Sequence, residues 1–296
     1  MNYVLSTMTL EDKIKMQLIF KENGKRIPKQ ERVTFWLDRL LYADDIALLA
    51  TSKEELRKKM NIVNSTFAKY GLIISAEKTE WMAFNENKFV NDTITLDDGK
   101  TLKKVEEFTY LGSIFTPDCS SQADIENRIK LAHLAIKPLN GLLWSKKVPR
   151  NRKKRLFMAF VFPVLTYACE TWTLTGGEKT EKTGLRKMLN VVWMKWMRRI
   201  YGCTILDKIE NEEILETVGE EKLTKKILDR QNKYAGHCYR FPPDRISKLI
   251  ITASLPSQTK KFMHGRNSWR KQVFTHVQGK SDSDVKIAFE RKEKER

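Results

Sequence analysis

The sequence predicts an α+β protein in two parts: antiparallel hairpins with a helix up to about residue 118, then an all-helical part. Three observations carry this reading. Short apolar runs broken by turn-forming residues, at Asp44-Asp45, Asp98-Gly99 and Gly112, fill the first part. From about residue 120 the apolar period becomes helical, with Ile125, Ile129, Ala132, Ile136, Leu139 and Leu143 on one stripe. Charge divides near the same place: residues 1–145 carry 21 basic and 20 acidic residues, and residues 146–296 carry 34 and 17. The second half therefore holds +17 of the net +18.

Each element follows from its local pattern. Residues 1–20 are weakly patterned and admit a helix, and Asn23-Gly24 with Pro28 marks a loop. VTFWLDRLLYADDIALLA, residues 33–50, reads as two apolar strands with a tight turn at the acidic pair. Ser52 precedes Glu55 at capping-box spacing, Leu56, Met60, Val63, Phe67 and Tyr70 continue a helix, and Gly71 stops it. Residues 72–75 and 81–84 read as strands around Ala76–Thr79. Residues 94–105 read as a hairpin turning on Asp98-Gly99, and FTYLGSIF, 108–115, as a strand pair bent at Gly112. Helices are expected over 156–168, 184–200, 211–219 and 221–237. The expected division is 1–118, 119–200, 201–277 and a charged, disordered tail over 278–296.

Composition narrows the function. The chain has 296 residues, 41% hydrophobic and 31% charged, which fits a globular protein and argues against wholesale disorder. The four cysteines are far apart and form no CxxC pair, as in an intracellular chain with reduced thiols. No signal peptide is visible, so the expected location is nuclear or cytoplasmic, not secreted. The longest uncharged apolar run, Leu156 to Cys169, is too short to span a bilayer and reads as one buried helix. A neutral half joined to a strongly basic half suggests a polyanionic partner, nucleic acid before an anionic membrane surface.

The acidic turn is the sharpest chemical feature. Two adjacent carboxylates, Asp44 and Asp45, sit between apolar strands. Held together, they repel unless water or a cation compensates. Mg²⁺ prefers such hard oxygens, and a pair of ions can drive phosphoryl transfer. A bare ADD is otherwise a solvated hairpin tip, because Asp suits turns. The flanks decide between these. LLYADDIALLATSKEEL followed by YGLIISAEKTEWMAF resembles the palm of non-LTR (LINE-type) retrotransposon reverse transcriptases. The likeness continues through FTYLGSIFTPDCSSQADIENRIKLAHLAI, RLFMAFVFPVLTYACETWTL, LRKMLNVVWMKWMRRIYG, NEEIL and AGHCYRF.

That resemblance, over roughly residues 33–245, implies specific roles. Asp44 matches the metal-binding catalytic aspartate and Asp45 its supporting neighbour. The implied cofactor is Mg²⁺, with Mn²⁺ as a substitute. Tyr42 would lie near the primer terminus. Lys78 would approach the incoming dNTP, where an ammonium can stabilise and protonate a leaving pyrophosphate; alone it would be an ordinary loop lysine. Tyr110, Leu111 and Gly112 match the hairpin that grips the primer strand. The implied partners are an RNA template with a DNA primer, or an RNA–DNA hybrid, and no membrane.

The family also uses a further aspartate on an earlier strand, and fingers that select the nucleotide. The acids before Asp44 are Glu11, Asp12, Glu22, Glu31 and Asp38, and none stands in such a strand. The sequence is therefore expected to be a C-terminal part of a longer polyprotein, unable to polymerise without a complementing chain. Two other readings compete: a non-catalytic nucleic-acid-binding protein, and a relic open reading frame.

Lys146, Lys147, Arg150, Arg152, Lys153, Lys154 and Arg155 place seven cations within ten residues without an acid. The run reads as a nucleic-acid patch where a thumb would meet template and primer. Trp193, Trp196, Arg198 and Arg199 interleave aromatics and cations on one helix; packing of the tryptophans in the core outweighs base stacking. Cys203, His237, Cys238 and His264 lack the close pairs of structural zinc sites, which disfavours zinc.

Overall fold

The computed structural model describes residues 14–18, 21–22, 25–26, 33–37, 39–84, 93–175, 184–252, 269 and 272–273. Strand β1, Ile14–Leu18, pairs antiparallel with β4, Val33–Leu37. This replaces the expected N-terminal helix: in IKMQL the apolar residues alternate with Lys15 and Gln17, a period of two that suits a strand. Between them, β2, Lys21–Glu22, pairs with β3, Lys25–Arg26. The first long strand is also divided. Only β5, Arg39–Tyr42, pairs with β6, Asp45–Leu48, while β4 belongs to β1.

Helix α1, Lys53–Lys69, follows the hairpin. Its Ser52 Oγ accepts the Glu55 amide at 3.1 Å, as the capping spacing demands. Glu55 does not complete the box on Ser52. Its carboxylate accepts instead from the Thr51 amide at 2.7 Å, the Thr51 hydroxyl at 2.6 Å and the Lys59 ammonium. The buried face of α1 carries Met60, Val63 and Phe67, and Ile46 and Leu48 of β6 pack against it. Residues 72–75 are not a strand; Ile73 is 87% exposed. The strand nearby is β7, Glu80–Trp81, which runs parallel to β9, Thr101–Lys104. β9 also pairs antiparallel with β8, Ile94–Thr95, about the turn containing Gly99 at φ 83°. Next, β10, Phe108–Tyr110, and β11, Ser113–Phe115, form a hairpin.

The helical part comprises α2, Gln122–Ile136, α3, Asn140–Trp144, α4, Arg150–Phe160, α5, Phe162–Leu165, α6, Gly184–Tyr201, α7, Asn211–Val218, α8, Leu223–Tyr239, and α9, Ile246–Thr252. The single helix expected over 156–168 breaks at Val161. Pro163, near the start of α5, has no N–H to continue the ladder. One core runs from Ile125 to Ile227 and includes the fully buried Phe157, Trp193 and Trp196. The Phe157 ring meets Trp193 edge-on at 5.6 Å, and truncating either tryptophan costs roughly 3–5 kcal/mol. Trp269 and Gln272 join this part. The Trp269 indole donates to the Glu170 carbonyl at 2.6 Å, and Gln272 accepts the Leu174 amide at 2.8 Å.

Candidate nucleic-acid site

The β5–β6 register sets Tyr42 opposite Asp45, leaving Ala43 and Asp44 as a two-residue turn. Asp44 thus sits in the turn and Asp45 opens the second strand. Ala43 takes a left-handed backbone, φ 51°, despite its Cβ. Such strain costs on the order of 1–3 kcal/mol and persists only where the surroundings enforce it. Here the enforcement comes from α1, whose Val63 and Phe67 seat Ile46 and Leu48, and whose buried Lys59 donates to the Leu49 carbonyl at 2.8 Å. Burial would raise the Glu55 carboxyl, but hydrogen bonds from Lys59 and Thr51 outweigh it and bring the pKa down to about 2. The Glu55–Lys59 pair therefore stays ionic and ties the strand exit to the helix. Tyr42 is 62% exposed, and both aspartates are exposed. Lys78 lies exposed on the turn before β7, whose Lys78 and Thr79 amides both donate to the Ser75 carbonyl.

The second hairpin turns at Leu111 and Gly112, with φ 49° and 79°. Two positive φ values mark the turn type that matches strand twist. Its tip is held from outside. The Tyr167 hydroxyl donates to the Leu111 carbonyl at 2.8 Å, and the Arg128 guanidinium donates to the Gly112 carbonyl. Arg128 also stacks over the Tyr167 ring at 4.3 Å. Asp124 accepts the Ile114 amide at 3.0 Å and the buried Trp172 indole N–H at 2.7 Å. Tyr110, Leu111 and Gly112 are thereby fixed to the helical part. Sequence reading missed this clamp of Asp124, Arg128, Tyr167 and Trp172. The only local signal was the i, i+4 acid–base spacing of Asp124 and Arg128.

The basic run is not one uniform face. Lys146, Lys147, Arg152 and Arg155 are exposed. Arg150 donates to the Tyr201 carbonyl at 3.0 Å and stacks on the Tyr201 ring. Lys153 is buried, and burial together with Arg150 lowers its pKa. Lys154 pairs with Glu220 at 3.0 Å and donates to the Gly219 carbonyl. Four exposed cations therefore lie in α4 and in the turn just before it. No acid stands in the first turn of α4 and Pro149 gives no side-chain cap, so these charges oppose the helix dipole.

Trp193 and Trp196 are wholly buried and offer no face to a base. Cys203 and Cys238 are buried thiols whose pKa values burial raises. His264 lies outside the described residues, as do Glu11, Asp12, Glu31, Asp38 and the tail. Among the described residues, no three His, Cys, Asp or Glu side chains are grouped to hold a metal ion. No described helix is long and apolar enough to cross a membrane.

The YADD turn is thus strained and exposed, and the second hairpin is clamped to the helical part. Residues 14–115 match the reverse transcriptase (RNA-dependent DNA polymerase) family, a span that contains both hairpins. The match covers the first part of the chain and stops before the helical part. It is similar to a transposon-derived protein of Caenorhabditis elegans, with 25% identity over 261 residues, covering 81% of this chain and 86% of that protein. No solved structure matches.

Proposed function

We propose that this chain, of LINE-type origin, binds an RNA–DNA hybrid or a template with its primer through backbone phosphates, and does not polymerise DNA by itself. The observation that carries the reading is the exposed Asp44 turn joined to a helical part that holds nearly all the net charge. In this reading Tyr42 flanks the primer terminus, Tyr110–Gly112 grips the primer strand, and Lys78 faces an incoming dNTP. The exposed Lys146, Lys147, Arg152 and Arg155 follow the backbone, in the nucleus or cytoplasm.

Asp44 and Asp45 are oxygen donors of the kind Mg²⁺ or Mn²⁺ takes, and such an ion would neutralise phosphate charge there. As a two-ion polymerase centre the described donors do not fit. One carboxylate is in the turn and the other begins a strand, and adjacent residues on extended chain diverge. Two ions about 4 Å apart need carboxylates from more than one element. No third described acid joins the pair. We therefore assign no chemical step to it. A second polymerase chain supplying such an acid is the partner that would complete it.

The test is extension of a labelled primer on an RNA template, with Mg²⁺ or Mn²⁺, beside a binding titration on the hybrid. Binding that weakens steeply with salt and background extension unchanged by Asp44→Ala support the proposal. Extension that disappears in Asp44→Ala, or the absence of binding at low salt, overturns it.

A further inference from the structure

Outside the hairpins and the basic start of α4, the helical part holds an open groove of about 710 Å³ along α6, bounded by residues of α3, α7 and the loop after α6. Its size falls within the ~300–1,000 Å³ of ligand sites. The apolar lining includes Trp144, 44% exposed, and Val191, 58% exposed. Around it stand Lys187, Lys195, Arg198, Arg199 and Lys222, against one carboxylate, Glu212. On α6, Lys187, Val191, Lys195 and Arg198 are spaced by four, four and three residues, so they share one face.

The two arginines meet neutral groups. Arg198 donates to the neutral Asn211 amide at 2.5 Å, and Arg199 donates to that of Asn140. Lys222 pairs with Glu212 at 4.0 Å. Lys187 and Lys195 are exposed. An accessible indole flanked by cations is the combination that holds an unpaired base and its phosphates. Base-paired nucleic acid hides the base faces that such a platform needs.

We infer that this groove is a separate site for a single-stranded nucleic-acid segment, with a base on Trp144 and phosphates on Lys187, Lys195 and Arg198. The inference rests on the proposed nucleic-acid-binding role, and it adds a site for the unpaired strand distinct from the one for the hybrid.

The test uses the full chain with a fluorescent twelve-nucleotide single strand and, separately, an RNA–DNA hybrid. Trp144→Ala is expected to weaken single-strand binding about tenfold, the scale of one lost stacking contact, while Trp144→Phe retains most of it. Lys187→Ala with Lys195→Ala should lower the single-strand salt slope by about 1.4, at ~0.7 per phosphate. Hybrid affinity should stay within about twofold in all three variants, and circular dichroism melts should match the parent. Unchanged single-strand binding in Trp144→Ala and in the lysine pair, with hybrid binding intact, overturns the inference but leaves the proposed function standing. Loss of hybrid binding by the parent chain overturns the proposed function instead. Displacement of the oligonucleotide by an equal concentration of a Glu-rich peptide would assign the groove to an acidic protein segment and also overturn the inference.

Discussion

The indole N–H of Trp172 donates to the Asp124 carboxylate at 2.7 Å, a buried bond between residues 48 apart in sequence. The same carboxylate accepts the Ile114 amide of β11 and lies 3.9 Å from Arg128. One side chain thus links the second hairpin, helix α2 and the loop that follows α5.

Removing that carboxylate should be costly. Asp124→Ala leaves the Trp172 and Ile114 N–H groups without acceptors and the Arg128 charge buried without a counter-ion. Breaking a buried pair costs about 3–5 kcal/mol. Chemical denaturation should show a loss in that range. Trp172→Phe, which removes one donor and keeps most of the ring, should cost less, about 1–3 kcal/mol. Equal stability of Asp124→Ala and the parent would refute the clamp.

Gly112 tests the clamp from the other side. At φ 79°, a Cβ would stand 3.4 Å from an Arg128 guanidinium nitrogen and 3.5 Å from the Tyr167 ring. Gly112→Ala should therefore cost about 1–2 kcal/mol from left-handed backbone alone. Urea unfolding measures this cost. Hybrid binding should fall as well, since the tip is where the primer strand is expected.

The basic run should separate into two classes. Replacing Lys146, Lys147, Arg152 and Arg155 by Ala should reduce the salt slope of hybrid binding by about 3–4, at ~0.9 per phosphate, with little change in melting temperature. Lys154→Ala removes one of the two cations paired with Glu220 and the donor to the Gly219 carbonyl, so it should lower stability while changing the slope less. Reversed behaviour of the two classes would contradict the exposures seen here.

Acid should loosen the first hairpin. Hydrogen bonds from Lys59 and Thr51, exceeding the opposing effect of burial, hold the Glu55 carboxyl at about 2 against an ordinary 4.5. Its folded pKa is depressed, so its contribution is fully present above pH ~4.5 and is lost as pH falls through about 2. Urea unfolding between pH 5 and pH 2 should show stability falling with acid. In Glu55→Gln that pH dependence should be shallower, and baseline stability should be lower because Lys59 is left buried and charged.

Much of the first part was legible because its signals are local. Asp98-Gly99, Gly112 and the acidic pair each mark a turn, and Ser52 caps its helix through its own neighbour. Helices α6, α7 and α8 were legible from apolar period alone. The failures share a cause. Residues 72–75 are apolar enough for a strand, yet no partner strand adopts them, and pairing is not encoded in one segment. The split at Val161 follows from Pro163, whose effect depends on where the helix begins.

The sequence by itself determined the hairpin turns, the helical period and the division of charge, because each depends on neighbours within a few residues. Only the tertiary structure decided which cations stay free. Lys153 and Lys154 look identical to Arg152 and Arg155 in sequence, but the packing of α4 buries the first and gives the second to Glu220 and Gly219. Only the fold joined Asp124 to Trp172 and Tyr167 to Leu111, since hydrogen bonds across 48 and 56 residues exist only once the chain has closed those loops.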